Sequence, residues 1–325
     1  MVLQCDLESA FDRYGHHCVR YALKSYNFGL KFRGWIEVLL KDSFSNINMC
    51  GKLSKRIKIL RSARQGDPIA AYLFILGLEL LANRVRHETK IRGYKCEDYE
   101  QKIALLADDV TVYLQGNKEE IESSIRTLYG LLHEFEKISG LRTSAEKSKA
   151  MWIGSAIGEQ PICADLSFTW CKKLKLLGVT IDDELKELEE NFEDKLQDIR
   201  RLLARWKRRS LTLMGRITVW RTLALSKLTY VALMLPYMSH DKITKIREVM
   251  MDFLWDGGKA RIAIKTLELP IKEGGLNLPN TQDYLCALKI SWIKRAENST
   301  CFWRRLLNAK LEERNLDFHG IYTYG

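Results

Sequence analysis

Two adjacent carboxylates, Asp108 and Asp109, lie between the apolar runs Ile103-Ala104-Leu105-Leu106-Ala107 and Val110-Thr111-Val112-Tyr113-Leu114. Each run has strand composition, so the acid pair reads as the tip of a β-hairpin. A two-residue hairpin loop favours Asn-Gly or Asp-Gly, because its backbone needs positive φ. Asp-Asp suits that geometry poorly and crowds two like charges. Each charge makes ionising the other costlier unless a cation lies between them. Two carboxylates so placed can hold a divalent metal. Acid pairs are also common in solvated loops, and a second one, Asp182-Asp183, reads as a helix start. The pair at 108–109 therefore needs support from the elements that would position it.

Those elements begin at the first residues. Met1–Asp6 has the pattern of a short buried strand that ends in an acid, and a helical stretch follows to about Tyr26. Leu30–Leu40 reads as a further helix, with Phe32, Trp35, Val38 and Leu39 near helical spacing. Asn46–Cys50 and Leu53–Leu60 flank Gly51-Lys52 as a hairpin. In its second strand Ile57 and Ile59 alternate with Arg56, Lys58 and Arg61, giving one apolar and one basic face. Asp67 as N-cap and Pro68 at the first helical position predict a helix over 67–86. Its body, Ala70 to Leu76, is apolar all round, which predicts a central, buried helix.

After the acid pair, Asn117–Ser139 is amphipathic. Ile121, Ile125, Leu128, Leu132, Phe135 and Ile138 step by three and four, and Gly140 suits the C′ position. Short strands are expected around Ala150–Ile153 and Leu176–Ile181. From Asp182 to about Arg209 the pattern is one long helix with Leu185, Leu188, Phe192, Leu196, Ile199, Leu203 and Trp206 on its seam. Helices at 211–235 and 241–255 follow. The pattern changes near residue 182 from mixed to helical. Two domains are expected, 1–181 and 182–325.

Composition narrows the partners. The 325-residue chain carries a net charge of +11, which favours polyanions, nucleic acid first. None of its eight cysteines forms a C-x-x-C pair, so zinc and redox motifs are unsupported and an intracellular, reducing compartment fits. The six histidines show no ligand spacing. Arg216, Arg221 and Lys227 interrupt the apolar stretch 211–235, which reads as a buried helix rather than a membrane span.

Three signals converge. Asp6 ends a strand, Arg64-Gln65-Gly66-Asp67-Pro68 opens a helix, and Asp108-Asp109 tips a hairpin. These residues resemble the reverse transcriptase family, in its LINE-type (non-LTR retrotransposon) branch. Asp6-Leu7-Glu8-Ser9-Ala10-Phe11-Asp12 resembles motif A, Arg64–Pro68 motif B, and Leu106-Ala107-Asp108-Asp109 motif C. Ser139-Gly140-Leu141 through Lys147 resembles motif D, and Leu176-Leu177-Gly178-Val179 the primer-grip strand. The stretches from Trp206 to Ile217, Phe253 to Trp255 and Lys272 to Pro279 resemble the thumb and the region after it. Leu106 stands where the family usually has an aromatic, Ser144 where it often has Asn, and Ala70-Ala71 where a small polar residue and Pro are usual.

The resemblance implies an α+β fold, a palm with an antiparallel sheet packed on helices, followed by an α-helical thumb and C-terminal region. It implies RNA-directed DNA polymerase activity by two-Mg2+ nucleotidyl transfer, with Mn2+ as an alternative ion. An RNA template, a DNA primer and dNTPs would be the partners. Asp6, Asp108 and Asp109 would be the metal ligands and Lys147 a proton donor to pyrophosphate. Phe11 would select against a 2′-hydroxyl, with Arg64, Gln65 and Gly66 bordering nucleotide and template. Arg205, Lys207, Arg208, Arg209 and Arg216 would meet the nucleic-acid backbone. Because the motif A strand opens the chain, the resemblance also implies that the fingers lie upstream and that this is a truncated retroelement product. Two other readings stay open: a non-catalytic nucleic-acid-binding remnant of the same family, and a helical interaction protein whose acids are incidental.

Overall fold

The computed structural model describes residues 1–41, 43–61, 66–96, 98–184, 189–235, 238–297 and 302–314. The chain divides into two compact units, Met1–Leu174 and Lys175–Gly325.

The first unit is built on strand β1 (Val2–Leu7). The short helix α1 (Ala10–Arg13) and then α2 (His16–Ser25) and α3 (Leu30–Leu40) follow it. One continuous helix to Tyr26 is thus replaced by two, because Tyr14 and Gly15 turn extended and Gly15 donates its N–H to Ser139 O at 2.8 Å. Next comes an irregular hairpin of four two-residue strands: β2 (Phe44–Ser45), β3 (Asn48–Met49), β4 (Lys52–Leu53) and β5 (Ile57–Lys58). Its loop is Cys50-Gly51, one residue earlier than the spacing predicts, with φ of +50° and +83°. Both values suit a type I′ turn.

Helix α4 runs Ala70–His87. It starts three residues after Asp67, whose carboxylate instead accepts the Ile69 N–H at 3.1 Å in the turn before the helix. The all-round burial expected for α4 is not found. Tyr72 and Ile75 are 70% and 51% exposed, so one stripe faces solvent. After the hairpin β6 (Tyr94–Cys96) and β7 (Tyr99–Gln101) come β8 (Ile103–Leu106) and β9 (Asp109–Tyr113). Helix α5 (Lys118–Ser139) carries a full capping box between Asn117 and Glu120 and ends on Gly140 in the left-handed region. Strands β10 (Thr143–Met151) and β11 (Thr169–Trp170) complete the sheet, ordered β11-β10-β1-β9-β8. It is antiparallel except that β11 runs parallel to β10.

The alternation of β1 decides which face is buried. Ile103, Val112, Leu3 and Ala150 form one row across four strands, with Val110 and Cys5 in the next. This face packs on α2, α4 and α5 in a single core. The opposite face carries Gln4, Asp6, Ala104, Thr111 and Asp109. Gly77 of α4 lets the buried Tyr14 ring lie against the helix, where Tyr14 Oη donates to Leu73 O at 3.2 Å. A Cβ on Gly77 would sit 1.8 Å from that oxygen.

The second unit is helical. A small hairpin, β12 (Lys173–Leu176) and β13 (Val179–Asp182), turns on Leu177-Gly178. Asp182 therefore ends a strand rather than opening a helix, and α6 is described over Glu189–Lys207. The seam positions Leu185 and Leu188 lie outside the described residues. Helices α7 (Leu213–Val219) and α8 (Leu225–Met234) are joined by a π-helical turn at Trp220–Ala224. Helices α9 (His240–Trp255), α10 (Ile264–Glu268), α11 (Thr281–Glu297) and α12 (Phe302–Glu312) follow. Phe192, Trp220, Leu228, Ile246 and Phe253 centre a separate core. Among the described residues, no helix is long and apolar enough to cross a membrane.

Two glycine substitutions distinguish packing from helix propensity. Gly130→Ala in α5 meets nothing within 4 Å and should stabilise by about 1 kcal/mol. Gly77→Ala should destabilise by about 1–3 kcal/mol through overpacking against Tyr14. Urea unfolding measures both, and equal effects would contradict the packing described.

Candidate active site

The hairpin tip differs from the one expected. Leu106 pairs with Asp109, so the loop is Ala107-Asp108 and Asp109 is the first residue of β9. Ala107 has φ +52°, whereas Asp108 is not in the positive-φ region. Positive φ at the first loop position alone follows the II′ pattern. A non-glycine residue there costs on the order of 1 kcal/mol. The strain thus falls on Ala107, which frees Asp109 to stand on the strand with a fixed facing.

That facing is toward Asp6. The β1–β9 ladder pairs Val2 with Tyr113 and Cys5 with Val110. One step further sets Asp6 across from Asp109, on the face opposite the helices. Directly opposed residues in an antiparallel pair bring Cβ atoms to roughly 5 Å, and like charges there repel. Burial, and then the charges of Asp108 and Asp6, hold the Asp109 carboxyl above the ordinary Asp range.

On the other side of β1 the ladder pairs Gln4 with Lys149 and then Asp6 with Ser144, which leaves three extra residues of β10 looped out. Ser148, fully buried, bridges this bulge. Its hydroxyl accepts the Asp6 N–H at 3.2 Å and donates to Ser144 O at 2.6 Å. Lys147 is exposed in the bulge, at the level of Asp6 along the ladder. Nothing in the spacing marks Ser148, because the bulge becomes visible only in the strand register.

Phe11 is half-buried and stacked on Phe74 of α4, with ring centroids 4.6 Å apart and planes 26° apart. Glu8 forms a local ion pair with Arg13 at 3.1 Å. Gly66 is exposed in the turn before α4 at φ +89°, with open space where a Cβ would lie. It is needed there for backbone conformation rather than close approach. Arg64 and Gln65 lie outside the described residues.

In the second unit the five expected backbone-contacting cations divide. Arg205 and Arg208 are exposed and carry no ion pair among the described residues, while Arg209 stacks over Trp206 at 4.8 Å. Lys207 is paired with Asp252 at 2.7 Å. Arg216 corrects the expectation most clearly. It is mostly buried, donates to Phe253 O at 2.8 Å, and faces Asp256 at 3.7 Å. Its guanidinium serves the C-terminal end of α9.

Similarity to known proteins decides the family. The family described as reverse transcriptase (RNA-dependent DNA polymerase) matches residues 1–181. The chain belongs to the reverse transcriptase family. It is 26% identical over 298 residues to the transposon TX1 uncharacterized 149 kDa protein of Xenopus laevis, covering 90% of this chain and 22% of that protein. It is 22% identical over 288 residues to the Pol polyprotein from type-2 retrotransposable element R2DM of Drosophila melanogaster, covering 86% of this chain and 26% of that one. These retrotransposon relatives agree with the LINE-type branch, and the chain spans about a quarter of their length. A telomerase structure from Candida tropicalis is similar at 12% identity and a TM-score of 0.39, covering 94% of this chain and 48% of that chain. The family match carries the assignment, and the telomerase likeness adds nothing to it.

Whether these reverse transcriptase acids suit a divalent ion can be judged from their chemistry. All three donors are carboxylates, the hard oxygen ligands that Mg2+ prefers. Burial first, and then the charges of Asp108 and Asp6, raise the Asp109 carboxyl. Among the described residues, however, no three acidic, His or Cys side chains converge as a preformed metal cluster. The donor set fits a cation that would draw it together.

A carboxyl raised by folding favours the folded state when protonated. That contribution is present below the ordinary Asp value and is lost as pH rises through the raised one. Asp109→Asn should therefore raise the metal-free melting temperature at pH 7. The gain should shrink as the pH falls toward 4, near the usual Asp value. A gain independent of pH in thermal scans would contradict a carboxyl raised by folding.

Proposed function

We propose that this chain is the catalytic palm and thumb portion of an RNA-directed DNA polymerase of a non-LTR retrotransposon. The observation that carries the reading is the β1–β9 ladder, whose continuation by one residue sets Asp6 across from Asp109 on the face of a reverse transcriptase sheet opposite the helices. Asp6, Asp108 and Asp109 would hold Mg2+. Two such ions supply activation of a primer 3′-hydroxyl and neutralisation of the leaving pyrophosphate. Phosphoryl transfer asks the protein mainly for positioning and charge balance. Phe11, backed by Phe74, would exclude a 2′-hydroxyl from the sugar site. Lys147 in the β10 bulge would give a proton to pyrophosphate, and Gly66 would border the nucleotide. Arg205, Arg208 and Arg209 would meet the nucleic-acid backbone. Lys207 and Arg216 are left out of this set because acids and carbonyls already hold them.

A second reading is favoured by one observation, the absence of a converged acid cluster among the described residues. On that reading the chain binds nucleic acid without polymerising.

Primer extension on a primed RNA template with Mg2+ separates the two. The polymerase reading expects template-dependent incorporation. Asp108→Asn should lower it at least about 100-fold, beyond the roughly 10–100-fold typical of losses outside the metal ligands. RNA binding should be retained. Retained RNA binding with no incorporation by the unsubstituted chain would overturn the polymerase reading in favour of the second.

A further inference from the structure

Between Ser43 and Gly66 the sequence has no Asp or Glu but six cations: Lys52, Lys55, Arg56, Lys58, Arg61 and Arg64. The last lies outside the described residues. On the helices of the same unit cations are commonly answered by acids: Arg20 by Glu37, Arg84 by Glu134, Arg86 by Glu79, and Arg126 by Glu122 and Asp165. On the β2–β5 hairpin all five described cations are exposed, and none has a carboxylate partner among the described residues. An uncompensated run of this kind raises local potential and draws a polyanion.

Its apolar side chains are uncovered as well. Phe44, Ile47, Met49, Leu53, Ile57 and Leu60 are between 40% and 71% exposed, interleaved with the cations. Of the expected apolar face, Ile57 is exposed and Ile59 half-buried. The Arg56 guanidinium lies 5.1 Å from the centre of the Phe44 ring, so a flat apolar surface and a charge are held side by side. The hairpin is anchored at its root. Ile59 N–H donates to Ser43 O at 2.8 Å, and Arg61 bridges to Gly15, just after the helix that carries Phe11.

We propose that the hairpin 43–61 is a binding site for single-stranded nucleic acid. Phosphates would lie on Lys52, Lys55, Arg56 and Lys58, and unstacked bases would lie against Phe44 and its aliphatic neighbours. A duplex satisfies only the cations, because its bases are already stacked. A single strand satisfies both sets, as in other sites that combine a cationic track with aromatic platforms. The site shares its nucleic-acid partner with the proposed function but not its chemistry. A chain that fails to extend a primer would leave the proposal standing.

The test is fluorescence anisotropy of the full chain with an unstructured RNA of about 20 nucleotides and with the same sequence as a duplex, across a salt series. The hairpin variant carries Lys52→Gln, Lys55→Gln, Arg56→Gln and Lys58→Gln. The control carries Lys24→Gln, Lys31→Gln, Lys90→Gln and Lys137→Gln, which removes the same charge from exposed sites elsewhere. The hairpin variant should bind single strands at least about tenfold more weakly, and its salt slope should fall by about 0.7 per lost phosphate contact, near 3 in all. Phe44→Ala should weaken single-strand binding about tenfold while leaving duplex binding in place. Every replaced side chain is exposed, so melting temperatures should not move. Equal losses in hairpin and control variants would overturn the site. Equal loss of single strand and duplex on Phe44→Ala would overturn its single-strand character.

Discussion

Asp6 and Asp109 face one another because two neighbouring antiparallel strands share one register. On β1 the core residues Leu3, Cys5 and Leu7 alternate with Gln4 and Asp6. On β9 Val110 and Val112 alternate with Asp109 and Thr111. A slip of one residue would send every one of these side chains to the other face. Burial of Leu3, Cys5, Val110 and Val112 against α4 and α5 therefore also fixes the acids on the opposite face. The fold accepts a repulsive pair there because the register it is tied to buries a whole sheet face.

The supports around this pair follow the same logic. The left-handed Ala107 makes the tip short enough for Asp109 to begin the strand. The β10 bulge would leave the Asp6 N–H without a strand partner, and the buried Ser148 hydroxyl accepts it instead. An unsatisfied buried donor costs about 1–3 kcal/mol, so this single hydroxyl stabilises the strand end that bears the acid. Gly77 lets Tyr14 pack under the turn that follows, and Phe11 rests on Phe74 beside it.

Much of this was legible in the residues. Strong punctuation worked: Asn117 with Glu120 and Gly140 bound α5 to within a residue, and apolar spacing located α6, α8 and α9. What failed depended on contacts distant in sequence. Asp67 looks like a helix cap but holds the turn before α4, and Gly15 breaks an apparently continuous helix by bonding Ser139. The solvent-facing stripe of α4 has apolar residues, so periodicity alone could not show which side is open. Charge was the least legible. Arg216 and Arg205 look alike in sequence, yet one is consumed by the end of α9 and the other stands free among the described residues. Pairing partners, not charge count, separate structural from available cations, and the acid-free hairpin 43–61 is where the cations remain available.

The proposed cation site joins Asp6 and Asp109 through the β1–β9 register. Electron paramagnetic resonance titration of Mn2+ into the full chain tests this without requiring catalysis. Asp6→Asn and Asp109→Asn should each weaken Mn2+ binding at least about tenfold, while Asp12→Asn, on the exposed side of α1, should leave it unchanged. Mn2+ binding that is indifferent to Asp6→Asn but lost in Asp109→Asn would contradict a shared site.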